Sequence, residues 1–336
     1  MVSLKDIANR CNVSTATVSK ALNGHMDIGE ATKERIRAVA KELGYTANSA
    51  ARALKTNRTY NIGILFMDLS NSGFTHEYFA STLTSFRLEA ERCGYDITFI
   101  SSNMGKSSTS YLQHALYRGV DGVAIICAEF LDPMVQELVY SQLPVVSLDH
   151  AFPDGTAVLS DNQHGMESLV RFVYGKGHRR IAYIHGNSTA VTENRLAGFF
   201  RACGALGLTV PEEYITECEY HEPISCYYAT KRLLALPERP TCIFFSDDYS
   251  YIGGINAIQE AGLRVPEDIS VVGYDGTHMS KMVSPTLTTW QQNTEKLGKI
   301  AAAWLIEMIE HPDELPPKHI VVEGKLQEGA TVNQLA

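Results

Sequence analysis

SLKDIANRCNVSTATVSKALN, residues 3–23, decides how the rest of the chain is read. Ser3 is placed to cap a helix, and Asp6, three residues on, completes an S-x-x-D box. Leu4, Ile7, Ala8 and Cys11 recur at helical spacing and give that helix one apolar face. Asn12 suits a tight turn, because asparagine tolerates left-handed backbone and bonds locally. Ser14 is a second N-cap, with Val13 and Val18 at the staple positions around it. Val18, Ala21 and Leu22 then point inward, Thr15, Ala16, Ser19 and Lys20 face out, and Asn23-Gly24 ends the second helix. Two short helices at a tight turn, the second with a small polar outer face and a lysine, fit the major groove of DNA. The alternative is an ordinary helical hairpin with a polar surface.

The flanking sequence favours the first reading. A third helix is expected from Glu30 to Leu43, buried through Ile36, Val39, Ala40 and Leu43, with Gly44 as its stop. Residues 1–60 hold ten Lys/Arg and five Asp/Glu, whereas the remaining 276 residues hold 19 and 33. A basic head on an acidic body is the footprint of a polyanion-binding module. Next, Asn48 can cap a short helix from Ser49 to about Lys55, too short to be stable alone. Leu54, flanked by Arg52 and Lys55, reads either as part of a linker helix or as an apolar wedge for the minor groove.

Composition bounds the rest. The 336 residues allow two or three compact units, and 45% hydrophobic with 20% charged residues is ordinary for a globular chain. No apolar run approaches the ~20 residues that span a membrane, and no signal-peptide pattern opens the chain. The seven cysteines are scattered without a C-x-x-C pair. Neither a disulfide framework nor a zinc site is expected, and a reduced, cytoplasmic protein is.

From Tyr60 onward apolar strands alternate with helices, beginning with Asn61–Phe66, Asp96–Ile100, Gly122–Ile126 and Val145–Leu148. The rhythm resumes at Ile181–Ile184, Cys242–Phe245 and Ile269–Val272. This pattern implies two parallel sheets covered on both faces, roughly 60–160 and 161–290. The segment through His319–Glu323 is expected to supply crossover or edge strands. Two open sheets facing each other make a cleft at the carboxyl ends of their strands. Polar residues just after strand ends are therefore site candidates: Asp68 and Ser70, Ser101 to Asn103, Glu129, Asp149, Ser246 to Asp248, and Asp275. Arg195, expected to open a helix running to Leu206 after a loop that follows a strand, joins them. Asp149, Asp247, Asp275 and Arg195 can bond a polyhydroxylated ligand, with Tyr78, Phe79 and Tyr220 covering its apolar face. Singly, each carboxylate reads equally as a cap or turn residue.

The chain resembles the lactose-repressor/galactose-repressor family of bacterial transcription factors nearly end to end. The resemblance rests on LKDIANRCNVSTATVSKALN, ELGYTANSAARALK, RGVDGVAII, GHRRIAYIHG, NRLAGF, GLRVPEDISVVGYDG and SPTLTTWQQ together. It implies an all-α helix-turn-helix headpiece over 1–46 and a hinge helix and linker over 47–59. The remaining 60–336 would be an α/β core like periplasmic sugar-binding proteins. Within that core it implies an N-subdomain of about 60–160 and 292–322 and a C-subdomain of about 161–291 and 323–336. It further implies a homodimer on a palindromic double-stranded operator, a small-molecule effector, and neither cofactor nor enzymatic activity. DNA-facing positions would be Ser14, Thr15, Ala16, Thr17, Lys20, Asn23 and Tyr45 in the headpiece, and Asn48, Arg52, Leu54 and Lys55 in the hinge. Effector positions would be Ser70, Tyr78, Phe79, Asn103, Glu129, Asp149, Arg195, Tyr220, Asp247, Asp275 and Gln292. Arg195 matches the family's central effector arginine, and Tyr78–Phe79 an aromatic pair of its purine-binding member.

Several positions depart from the family pattern. Ser246-Asp247 stands where many members have Asn-Asp, and Gly276 replaces an acid or amide in GYDG. Ala47 replaces a proline, and Thr189 stands where the purine-binding member has a second arginine, which favours a sugar over a nucleoside. No heptad tail follows the last strand, so a coiled-coil tetramer is not expected. An enzyme on the same core is disfavoured: G-x-G-x-x-G, P-loop and G-x-S-x-G motifs are absent, and His76-Glu77 lacks the second histidine of H-E-x-x-H. A periplasmic binding protein would need a signal peptide and no headpiece. A core responding to a partner protein stays open, as does the direction of the effector's influence on DNA binding.

Overall fold

The computed structural model describes residues 2–22, 24–45, 53, 58–67, 73–104, 107–312 and 314–335. The chain divides into two units, Met1–Thr59 and Tyr60–Ala336. The first unit contains α1 (Leu4–Cys11), α2 (Thr15–Leu22) and α3 (Glu30–Glu42). Its core is Ile7, Ala8, Cys11, Val18, Ala21, Ile36 and Ala40, the apolar stripes expected from helical spacing. The capping box forms as read: the Ser3 amide donates to Asp6 Oδ2 at 2.8 Å and the Asp6 amide to Ser3 Oγ at 3.4 Å. The Ser3 hydroxyl, which donates to Asp6 Oδ2 at 2.7 Å, and then the Ser3 amide hold the Asp6 carboxyl below its ordinary range. Asn12 sits at φ 52°, the left-handed turn that lets α1 and α2 meet.

Among the described residues of the second unit, two six-stranded sheets form the layers. The first sheet comprises β1 (Asn61–Phe66), β2 (Asp96–Ile100), β5 (Gly122–Cys127), β6 (Val145–Leu148), β7 (Thr156–Ser160) and β13 (His319–Val322), in the order β13-β7-β6-β5-β1-β2. Every pairing in it is parallel. A small hairpin, β3 (Asn103–Met104) with β4 (Ser107–Ser108), stands outside it. The second sheet runs β14-β12-β11-β10-β8-β9 and is built from β8 (Ile181–His185), β9 (Ile215–Glu217), β10 (Cys242–Phe244), β11 (Ser270–Asp275), β12 (Thr288–Gln291) and β14 (Lys325–Gln327). Only β14 is antiparallel to its neighbour. β13 and β14 are the edge strands expected from the final segment.

The side chains of β1 show why both sheet faces are covered. Ile62 and Ile64 enter one core with Phe86, Ala301 and Leu305, from helices Glu77–Arg92 and Thr294–Glu310. Leu65 enters the opposite core with Tyr111, Ala115, Val135 and Leu138, from helices Tyr111–Arg118 and Pro133–Val139. A strand buried on both sides reads as an unbroken apolar run, which is why NIGILF was recognisable. The second sheet repeats the scheme. Helices Asn162–Gly175 and Ala190–Ala205 cover one face, and helices Pro223–Leu234 and Tyr251–Glu260 the other.

The chain passes between the sheets after β7, after β12 and after β13, so both sheets present their strand ends to one cleft. The packing is close enough to demand glycine at Gly253. A Cβ there would lie 1.7 Å from the carbonyl oxygen of Pro223 on the facing helix. Gly253→Ala is expected to destabilise the core by ~1–3 kcal/mol through overpacking. A urea midpoint equal to that of the wild type would contradict this close approach.

Among the described residues no helix is long and apolar enough to cross a membrane.

Candidate functional site

The headpiece offers a polar surface on α2. Thr15, Ala16 and Lys20 are exposed, Thr17 is half-buried, and Tyr45 packs against the headpiece core. Ser14 Oγ accepts the Thr17 amide at 3.0 Å and so starts α2. Lys20 pairs with Asp27, a contact that contributes little in water and leaves the ammonium available to a polyanion. Not every headpiece cation faces out: Lys33 is buried and bonds Glu30 at 2.7 Å. Asn23, Asn48, Arg52, Leu54, Lys55 and Ser70 lie outside the described residues.

In the core the carboxyl ends of the parallel strands gather a buried polar network. Arg195 is its centre. It lies in the second turn of helix Ala190–Ala205, which begins five residues before the position where sequence reading opened it. Thr189 caps that helix by accepting the Thr192 amide at 3.2 Å. Arg195 is only 4% exposed. Its Nε donates to Asn162 Oδ1 and its Nη1 to the Ser246 carbonyl, both at 2.8 Å, and its Nη2 lies 3.6 Å from Asp275 Oδ1. The guanidinium stacks 3.6 Å from the Tyr274 ring centroid, with Tyr220 at 5.9 Å. Burial opposes its charge, but Tyr220, Tyr274 and Asp275 outweigh that cost and raise its pKa further.

Asp275, at the end of β11, is also buried. Burial pushes its carboxyl up to about 6, although Arg195 pulls the other way. Gln292, one residue past β12, donates Nε2 to Asp275 Oδ1 at 2.7 Å, while its buried Oε1 has no hydrogen-bond partner among the described residues. Asp149, one residue past β6, accepts the Ser160 amide at 2.7 Å and the Tyr78 hydroxyl. Burial and then the Asp149 charge raise the Tyr78 pKa, so this hydroxyl acts as a donor. Asp149, His221 and Asp275 have φ of 54°, 59° and 102°, in the left-handed region that non-glycine residues rarely adopt. Such strain concentrates where function fixes the backbone.

Aromatic groups line the same cleft. Phe79 packs edge-on to Tyr78 and to Phe66, each at 5.3 Å. Tyr220 bonds Thr192 Oγ1 at 2.8 Å through its hydroxyl, and its ring occupies space that only a glycine at 186 leaves open. The fold thus assembles Tyr78, Phe79, Asp149, Arg195, Tyr220, Asp275 and Gln292.

Three other sequence candidates stand differently. The Asp247 carboxylate caps its own loop, accepting the Ser250 amide and hydroxyl at 2.7 Å, the Ser246 hydroxyl at 2.9 Å and the His221 amide at 3.2 Å. Burial works against its charge, but His221 and Ser250 hold it well below the usual carboxylate range. Asn103 and Glu129 are exposed, and among the described residues no hydrogen bond or ion pair ties their side chains to this network.

The structure also adds residues that sequence reading passed over. Asn162 and Tyr274 hold Arg195, and their roles depend on contacts 33 and 79 residues away along the chain. His76 and His221 meet across the cleft with ring centroids 3.7 Å apart. Beside them, both Glu77 carboxylate oxygens accept the His278 amide, at 2.7 and 2.8 Å.

Comparison with known proteins agrees with this architecture. Residues 3–48 match the family model described as bacterial regulatory proteins, lacI family, and residues 170–332 match the periplasmic binding protein-like domain. The HTH-type transcriptional repressor PurR of Escherichia coli O139:H28 (strain E24377A / ETEC) is 34% identical, over 99% of this chain and 97% of the relative. Among solved structures, the transcriptional regulator CelR–cellobiose complex is 25% identical with a TM-score of 0.73, covering 98% of this chain and 100% of that one. The lac repressor dimer bound to operator and the anti-inducer ONPF superimposes with a TM-score of 0.82 over 99% of both chains, at 24% identity, and shows the fold alone. A DNA-reading headpiece joined to a two-sheet core with a ligand-type cleft, in a chain this similar to repressors along its full length, belongs to the lacI family of bacterial regulatory proteins, and the protein is a DNA-binding transcriptional repressor with a small-molecule effector.

Proposed function

We propose that this repressor is controlled by a sugar or sugar derivative bound between the two sheets of the core. The observation that carries this reading is Arg195, buried on Tyr274 and paired with Asp275 beside the Gln292 oxygen that has no partner among the described residues. A guanidinium, two carboxylates and an amide oxygen supply donors and acceptors for adjacent hydroxyls, and Phe79 and Tyr220 cover the C–H face of a pyranose. The cellobiose complex of CelR, a regulator 25% identical to this chain, supports a carbohydrate effector. A nucleoside is the second reading, favoured by the aromatic wall in which Phe66 stacks on Phe74 at 5.2 Å and meets Phe79 edge-on.

A thermal-shift screen of mono- and disaccharides against nucleosides separates the two. A ligand at one hundred times its Kd adds about 2.7 kcal/mol and raises Tm by several degrees. Hits confined to nucleosides overturn the sugar assignment.

The regulatory unit we infer is a cytoplasmic homodimer on a palindromic operator, with headpiece 1–46, hinge 47–59 and core 60–336. The core's subdomains would be about 60–160 with 292–322 and about 161–291 with 323–336. Two headpieces would sit about one helical turn apart, ~34–36 Å, and effector closure of the cleft would alter the hinge spacing, a coupling of ~1–3 kcal/mol. Thr15 and Ala16 would meet thymine methyls and Lys20 guanine acceptors, with Ser14, Thr17, Asn23 and Tyr45 around them. Asn48, Arg52, Leu54 and Lys55 would follow the minor groove. Lys20→Ala is expected to weaken binding to DNA from the protein's own promoter region by ~1–3 kcal/mol. Fluorescence anisotropy measures this, and wild-type affinity at every salt concentration would remove Lys20 from the interface.

A further inference from the structure

We infer that His76, His221 and Asp247 form a binding site for a divalent transition-metal ion of the zinc class, clasping the two sheets across the cleft. The sequence alone implies no metal, because its cysteines form no C-x-x-C pair and His76-Glu77 lacks the second histidine of H-E-x-x-H. The fold gathers them. One ligand atom from each lies within 4.8 Å of the others. In a tetrahedral zinc site the donors stand ~3.3–3.5 Å apart, given metal–donor bonds of ~2.0–2.1 Å. Small side-chain rotations close that difference.

His76 precedes helix Glu77–Arg92 of the first sheet's layer, and as that helix's N-cap it makes no side-chain capping bond. His221 lies in the loop before helix Pro223–Leu234, and Asp247 follows β10, both belonging to the second sheet's layer. An ion held by all three therefore bridges layers that also meet here through the His76–His221 ring contact and the His278 amide on Glu77.

The donor set selects the class of ion. Two imidazoles with one carboxylate suit zinc, nickel, copper or iron, whereas magnesium and calcium prefer oxygen ligands. Three protein ligands leave a coordination position for water or a ligand oxygen. Hydrogen bonds to the carboxylate from Ser246 and Ser250 fix its orientation, as partners of metal ligands commonly do. The left-handed backbone at His221, φ 59°, aims that residue into the cluster. The arrangement also balances charge, since Asp149, Asp247 and Asp275 gather at this cleft with Arg195 as their guanidinium. The site stands on these three residues and does not depend on which effector the cleft takes.

The test uses the full-length, tag-free protein, stripped with a chelator and titrated with Zn2+ by calorimetry. The expected result is one ion per chain at micromolar affinity or tighter. Affinity should fall at least tenfold in His76→Ala and in His221→Ala, with unchanged far-UV circular dichroism. Co2+ in place of Zn2+ should give the intense visible absorption of a four-coordinate nitrogen–oxygen site, absent in both variants. No saturable binding to the wild type overturns the inference. So does binding whose stoichiometry, affinity and cobalt spectrum are the same in both folded variants, because the ion then sits elsewhere.

Discussion

Arg195→Ala is expected to lose the ligand response of the core and about 3–5 kcal/mol of its stability, while DNA binding without ligand changes little. The substitution removes a buried cation whose three partners stay behind. Asn162 Oδ1 and the Ser246 carbonyl lose donors at 2.8 Å, and the Asp275 carboxylate loses its counter-charge at 3.6 Å. Breaking a buried pair by deleting one member is costly because the other charge remains desolvated. Asp275 escapes part of that cost by taking up a proton, since Arg195 is the largest influence holding its pKa down. Lysine is not expected to rescue the site. A single ammonium cannot reproduce the fork that serves Asn162, Ser246 and Asp275 while lying flat on Tyr274. Chemical denaturation reports the stability loss, and thermal shift with whichever sugar or nucleoside binds the wild type reports the ligand response. The headpiece is a separate unit, so affinity for promoter DNA should stay within about threefold. An Arg195→Ala protein with wild-type stability and an unchanged ligand shift would show that the cleft is organised around another group.

The second large effect is a pH dependence at Asp275. Its carboxyl is raised from an ordinary 3.8 to about 6 by burial. A carboxyl that holds its proton more tightly when folded favours the folded state below its unfolded pKa. That stability is lost as pH rises through the folded pKa. Here the window is pH 4 to pH 6, and a raise of that size corresponds to about 3 kcal/mol. Asparagine at this position keeps the shape and can still accept from Gln292 but has no proton to release. Relative to the wild type, Asp275→Asn should therefore gain about 2 kcal/mol between pH 4 and pH 7, on top of a constant offset from the altered Arg195 contact. Urea denaturation of both proteins across that range measures the difference. Parallel stability curves would mean that Asp275 is ionised throughout, as an ordinary surface carboxylate is.

Particular residues show which parts of this molecule can be read from sequence. Ser3, Asp6, Asn12 and Ser14 act on backbone atoms within three residues or so, and each does what its position implies. The apolar run of β1 carries its own signal because both faces are buried. The short strands β9, β12 and β14 were not recognised, since they are held by pairing with neighbours rather than by local preference. The start of the Arg195 helix was misplaced because Thr189, its cap, reads as an ordinary loop residue. At the cleft, Asp149 and Asp275 were legible because strand ends in open α/β sheets mark ligand sites. Asp247 satisfied the same rule, yet bonds from Ser246, Ser250 and the His221 amide orient its carboxylate toward His76 and His221 instead of the Arg195 network.

By itself, then, the sequence determined the helix-turn-helix, the two-sheet class and the neighbourhood of the cleft. Those properties follow from capping, periodicity and charge, which act over a few residues or over bulk composition. Only the tertiary structure decided which carboxylates stay open to a ligand, what Arg195 rests on, and that His76 meets His221. Each of these depends on close contact between side chains brought from different strands and helices, at separations that no local pattern encodes.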